Sequence, residues 1–103
     1  MTVARPEEVI ARLRAEETAL RSLGVSRLGL FGSFRRGDAR EESDVDLLVE
    51  FEPGRKTFDS FMSLGFFLES LLGRRVELVT PESLSPYIGP RILREVQYVA
   101  FRG

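Results

Sequence analysis

At 103 residues, 43% hydrophobic and 30% charged, the sequence suits one small globular domain spanning 1–103, with a single core and little left over for a separate substrate-binding unit. A net charge of −1 argues against a broad grip on nucleic acid or an anionic membrane. The lack of a signal-peptide pattern or of an apolar run near ~18 residues predicts a cytoplasmic protein. With no Cys and no His, disulfides, thiolate nucleophiles, zinc–thiolate sites and imidazole bases are excluded, so any catalysis falls to carboxylates, hydroxyls, arginines, backbone groups and a hard metal ion.

Pro6 followed by Glu7 and Glu8 predicts a helix start, since proline suits the first turn and acids favour the positive end of the helix dipole. Val9, Ile10, Leu13, Leu20 and Leu23 share one face, interrupted at Glu16 and Glu17, and Gly24 is placed to end the helix. A first strand is predicted over 25–31, then a helical turn over 34–37. The alternation of Val45, Leu47, Val49 and Phe51 with Asp46, Leu48 and Glu50 predicts a second strand over 45–51, stopped by Pro53 and Gly54. A helix follows from Thr57 to Gly73. Its four phenylalanines in ten residues (Phe58, Phe61, Phe66, Phe67) exceed one helical stripe, so most are expected in the core and part against a partner. A third strand over 75–80 ends at Pro81, and Pro90 opens a last short helix through Ile92, Leu93 and Val96. The order α-β-α-β-α-β-α indicates an α/β domain.

The chemistry concentrates in "GSFRRGDAREESDVDLLVEF", Gly32 to Phe51. Asp44 and Asp46 lie two apart at the start of a strand, so their side chains project to one side, where two carboxylates repel unless a counter-charge joins them. Mg²⁺ supplies such a charge, taking one or two carboxylates and completing its shell with waters and phosphates. Alternatively, both acids form a solvated strand start capped by arginines. Gly32 and Ser33 occupy a strand-to-helix junction that presents backbone N–H groups and a hydroxyl to an anion; alone, such a pair is also an ordinary turn. The phosphate loop of ATPases is absent, because Asp38-Ala39 stands where Lys-Ser/Thr is required.

Taken together, Gly32-Ser33, Arg36-Gly37-Asp38-Ala39 and Ser43-Asp44-Val45-Asp46-Leu47-Leu48-Val49 resemble the signature of the minimal nucleotidyltransferase (MNT) family, within the DNA polymerase beta-like nucleotidyltransferase superfamily. The resemblance implies a small nucleotidyltransferase fold of the α/β (α+β) kind, a mixed sheet of three to four strands flanked by helices. It implies that Gly32 and Ser33 contact a nucleoside triphosphate and that Asp44 and Asp46 hold metal ions, two Mg²⁺, that bridge its phosphates. The third carboxylate of the superfamily would be Glu77, where relatives commonly carry Asp; an edge-strand Glu paired with Arg74 or Arg75 is the structural alternative. Arg36 matches the family pattern and would steady phosphates, or else neutralise nearby surface acids such as Asp38. The resemblance further implies transfer of AMP from ATP to a hydroxyl of a macromolecular acceptor, an all-helical HEPN-type protein paired with this one as toxin and antitoxin. The alternative is a catalytically weak or inactive antitoxin-like module that neutralises its helical partner by occlusion. A drug-modifying enzyme of the kanamycin type would need an additional domain for its acceptor.

Overall fold

The computed structural model describes residues 2–101. The first helical region forms two helices, α1 (Pro6–Ala15) and α2 (Glu17–Ser22). Pro6 occupies the first turn of α1, and the Glu8 carboxylate accepts from the N–H groups of Ala4 (2.9 Å) and Arg5 (3.0 Å), satisfying donors that the helix leaves open. The predicted interruption falls at Glu16, whose φ of −107° and ψ of 25° leave the helical region, yet Val9, Leu13 and Leu20 still bury on one side.

Strands β1 (Val25–Phe31) and β2 (Val45–Phe51) coincide with their predicted spans and pair antiparallel. Between them lies α3 (Gly32–Arg36), which begins two residues earlier than predicted, directly on the last strand residue. Helix α4 (Phe58–Leu72) starts at a reciprocal cap: Thr57 Oγ1 accepts from the Ser60 N–H, and Ser60 Oγ accepts from the Thr57 N–H. It ends at Gly73, whose φ of 70° is left-handed. The chain then enters β3 (Val76–Val79), parallel to β2. A 3₁₀ turn at Pro81–Ser83 and α5 (Gly89–Glu95) follow.

A fourth strand, β4 (Gln97–Tyr98), pairs antiparallel with β1; it completes the expected sheet of three to four strands, but its place in the chain was not predicted. Two residues are too few to display alternation, and the pairing depends on a distant partner. Gly29 makes it possible, because a side chain there would run into Val96 Cγ2 and Tyr98. The sheet is therefore mixed, in the order β3-β2-β1-β4.

Register separates the two faces of this sheet. Leu28, Leu30, Val45, Leu47 and Val49 turn into a core closed by Leu64, Leu68 and Leu72 of α4 together with α1 and α2. On the opposite face, Phe31, Asp46 and Glu77 form one row across β1, β2 and β3. Of the phenylalanine cluster, Phe61 and Phe67 pack against the core, whereas Phe58 (78% exposed) and Phe66 (66%) project outward with Met62. Among the described residues no helix is long and apolar enough to cross a membrane.

Candidate active site

The site is built where β1 passes into α3 without a loop. Gly32, at that joint, has φ of 76°, and a Cβ added to it would collide with Asp46 Oδ2. Both facts demand glycine: the backbone is left-handed, and the Asp46 carboxylate fills the space a side chain would need. Thus the two halves of the motif, eleven positions apart at their nearest sequence point (Ser33 to Asp44), touch through Gly32 and Asp46. The Ser33 hydroxyl has no side-chain hydrogen bond among the described residues and is available to a ligand. The Ser33 carbonyl accepts from the N–H groups of Gly37 and Asp38 (3.0 Å each), and Gly37, at φ 83°, closes α3.

Asp46 is half-buried, and its carboxyl is pushed up to about 6. Burial is the largest cause, followed by the charge of Glu77, the charge of Asp44 and a hydrogen bond with Glu77; Arg36 acts in the opposite sense. Glu77 stands directly beside Asp46 in the parallel β2–β3 register, is solvent-exposed, and forms no ion pair among the described residues. Neither Arg74 nor Arg75 neutralises it. Arg75 Nε instead lies 3.4 Å from Asp44 Oδ1.

Arg74 has a different task. Its Nη1 donates to the carbonyls of Arg40 (3.0 Å), Glu41 (2.6 Å) and Ser43 (3.1 Å), and its Nε donates to that of Val3 (2.8 Å). These bonds gather the loop that delivers Asp44 to β2, and the guanidinium also lies 5.0 Å from the centre of the Phe34 ring. A family model for the nucleotidyltransferase domain matches residues 13–99, nearly the whole of this arrangement.

The chain belongs to the nucleotidyltransferase domain family. It is 45% identical to the protein adenylyltransferase MntA of Thermococcus cleftensis, over 96% of this chain and 100% of that relative. A solved structure provisionally described as a minimal nucleotidyltransferase superposes with a TM-score of 0.80 at 40% identity, covering 94% of this chain and 98% of that one. The fold is also that of the MNT antitoxin crystallised with a tri-AMPylated HEPN toxin of Shewanella oneidensis: TM-score 0.63, 19% identity, 91% of this chain and 73% of the other.

The donor set of this nucleotidyltransferase suits a hard cation. Asp46 and Glu77 are adjacent oxygen donors with no positive charge paired to Glu77, and the proton affinity of Asp46 is raised first by burial and then by the neighbouring acids. Among the described residues no three acids are drawn together into a group that could hold a metal ion.

One residue of the site escaped sequence reasoning entirely. Glu95, the last residue of α5, accepts from the Gly32 N–H through Oε2 (2.8 Å) and from Arg36 Nη1 through Oε1 (3.0 Å). Arg35 Nε donates to the Glu95 carbonyl (3.0 Å). Arg36 also lies 3.7 Å from Asp38 Oδ2, so it is shared between two acids. Burial raises the Glu95 carboxyl, but the Gly32 N–H and Arg36 outweigh it and hold the carboxyl below the ordinary glutamate range. No local pattern marks Glu95, which is 63 residues from Gly32.

Proposed function

We propose that this nucleotidyltransferase, acting as a single domain over 1–103 in the cytoplasm, transfers AMP from ATP to a hydroxyl of a small all-helical HEPN-type protein, the toxin of a toxin–antitoxin pair. The contact of Gly32 with Asp46, beside the uncompensated Glu77, carries this reading: it joins a ligand-facing turn to crowded carboxylates that need a cation. The name of the 45%-identical relative and the AMPylated toxin in the neighbouring complex support it.

In this reading Ser33 and the part of Arg36 not engaged by Glu95 bind the triphosphate, with Gly32 giving close approach. Asp44, Asp46 and Glu77 are the residues that would hold two Mg²⁺, and the ions would supply counter-charge to the phosphates. The acceptor oxygen bonds to the α-phosphorus, the bond to the bridging oxygen breaks, and pyrophosphate leaves. The hydroxyl proton passes to the exposed Glu77 carboxylate. An open site on one face of the sheet suits an acceptor that brings its own surface.

Labelled ATP, Mg²⁺ and the helical partner should yield labelled partner, and Asp46→Ala should abolish labelling while the protein remains folded. If no nucleotide labels a partner that nevertheless binds tightly, the occlusion reading replaces the enzymatic one. The Asp44–Arg75 ion pair favours that second reading, since it engages one of the metal-binding acids.

A further inference from the structure

We propose that Glu95 is a positioning residue of the transfer site: through the Gly32 N–H and Arg36 it holds the strand-to-helix joint in the register that sets Asp46 and Arg36. The inference rests on the reading of those two residues given above. Three bonds converge on Glu95, two to its carboxylate and one to its carbonyl, and all three come from α3 or its first residue. The Glu95 side chain is 21% exposed and the bond from the Gly32 N–H is partly buried, while the bonds from Arg35 and Arg36 are solvent-exposed but charge-assisted. Gly32 in turn lies hard against the Asp46 carboxylate, so a shift of the joint moves an acid of the site.

This arrangement divides the labour within Gly32-Ser33. The Gly32 N–H is already occupied by Glu95, so Gly32 serves by its missing side chain, while Ser33 is the member left to meet phosphate. It also explains why the C-terminal segment returns to the sheet. β4 pairs with β1 beside Gly29 and Leu30, and the Val99 N–H donates to the Leu28 carbonyl (2.8 Å), anchoring the residue that braces the site. These backbone bonds and the Arg35 bond to the Glu95 carbonyl survive any side-chain substitution at 95, so variants there should remain folded.

The test compares wild type, Glu95→Gln and Glu95→Ala in the full chain. Hydrogen exchange at the Gly32 amide, binding of Mg·ATP by calorimetry, and single-turnover labelling of the partner are measured together. We expect Glu95→Ala to speed Gly32 exchange at least tenfold and to lower kcat per folded molecule by ~10- to 100-fold, with the Kd for Mg·ATP within about threefold of wild type. Glu95→Gln retains an acceptor for the Gly32 N–H and should recover part of both losses. Unchanged kcat per folded molecule in both variants would make Glu95 a purely structural tie and overturn the inference. Tighter Mg·ATP binding in both would overturn it differently, by making Glu95 a competitor of phosphate. A wild-type chain that neither binds Mg·ATP nor labels the partner overturns the functional reading itself, whereas wild-type labelling with indifferent variants overturns this inference alone.

Discussion

Two glutamates reach the site from opposite edges of the sheet, and their environments are inverse. Glu95, beside edge strand β4, has both carboxylate oxygens engaged, by a backbone N–H and by a guanidinium. Glu77, on edge strand β3, forms no ion pair among the described residues and faces another acid, Asp46, whose proton affinity it raises. The same side chain is thus a satisfied brace on one side and an unsatisfied charge on the other. A protein retains the second kind of contact at a cost in stability, which a cation bound as proposed would offset.

The contrast breaks first at Gly32, which donates to Glu95 and lies against Asp46. Gly32→Ala should lower AMP transfer by at least about 100-fold, because its methyl group displaces the Asp46 carboxylate. A left-handed alanine adds about 1–2 kcal/mol of destabilisation, measurable by urea unfolding. If the variant transfers AMP at the wild-type rate, Asp46 does not work from the position described.

The next effect is smaller and concerns pH. The folded-state carboxyl of Asp46 is raised from 3.8 to about 6, so its contribution to stability is fully present below the lower value and is lost as pH rises through the higher one. A two-unit shift corresponds to about 3 kcal/mol, reduced here to about 1–2 because the carboxyl is only half-buried. Metal-free protein should therefore lose about that much stability from this group between pH ~4 and pH ~7. Glu95 has the opposite sign: its lowered carboxyl contributes above the ordinary glutamate range and ceases to do so as pH falls through its folded-state value. Unfolding curves across pH in EDTA should show Glu77→Gln stabilising the metal-free protein near pH 7, and Glu95→Gln destabilising it there. Destabilisation by Glu77→Gln would mean that Glu77 is held by attractions rather than crowding Asp46.

What could be read in advance follows the range of the interactions. β1 and β2 were bounded to the residue because alternation, Gly24 and Pro53-Gly54 are local signals. The pairing of Asp46 with Glu77 was half visible: an acid in an apolar strand pointed to Glu77, but its neighbour depended on the parallel register. β4, the tie of Arg74 to the carbonyls of 40–43, and Glu95 were invisible, since each is defined by a partner more than thirty positions away. The outward Phe58 and Phe66 were foreseen only as an excess of aromatics, and the periodicity of Leu64, Leu68 and Leu72 settles which stripe buries.

The smallest effect distinguishes the arginines that accompany these acids. Arg36 is 50% exposed and bonded at 3.0 Å to a carboxylate that is 21% exposed, whereas Arg75 is 82% exposed and reaches Asp44 at 3.4 Å. Exposed pairs of this kind contribute ~0–1 kcal/mol, so Arg75→Ala should change unfolding stability by less than about 0.5 kcal/mol. Its effect on the cation should have the opposite sense. Removing a positive charge from Asp44 frees a donor and lessens repulsion of Mg²⁺, so Mg²⁺ should bind about two- to threefold more tightly, read from the Mg²⁺ concentration needed to raise Tm. Weaker Mg²⁺ binding in Arg75→Ala would instead make Arg75 a brace for Asp44, the counterpart on the β3 side of what Arg36 and Glu95 form beside β4.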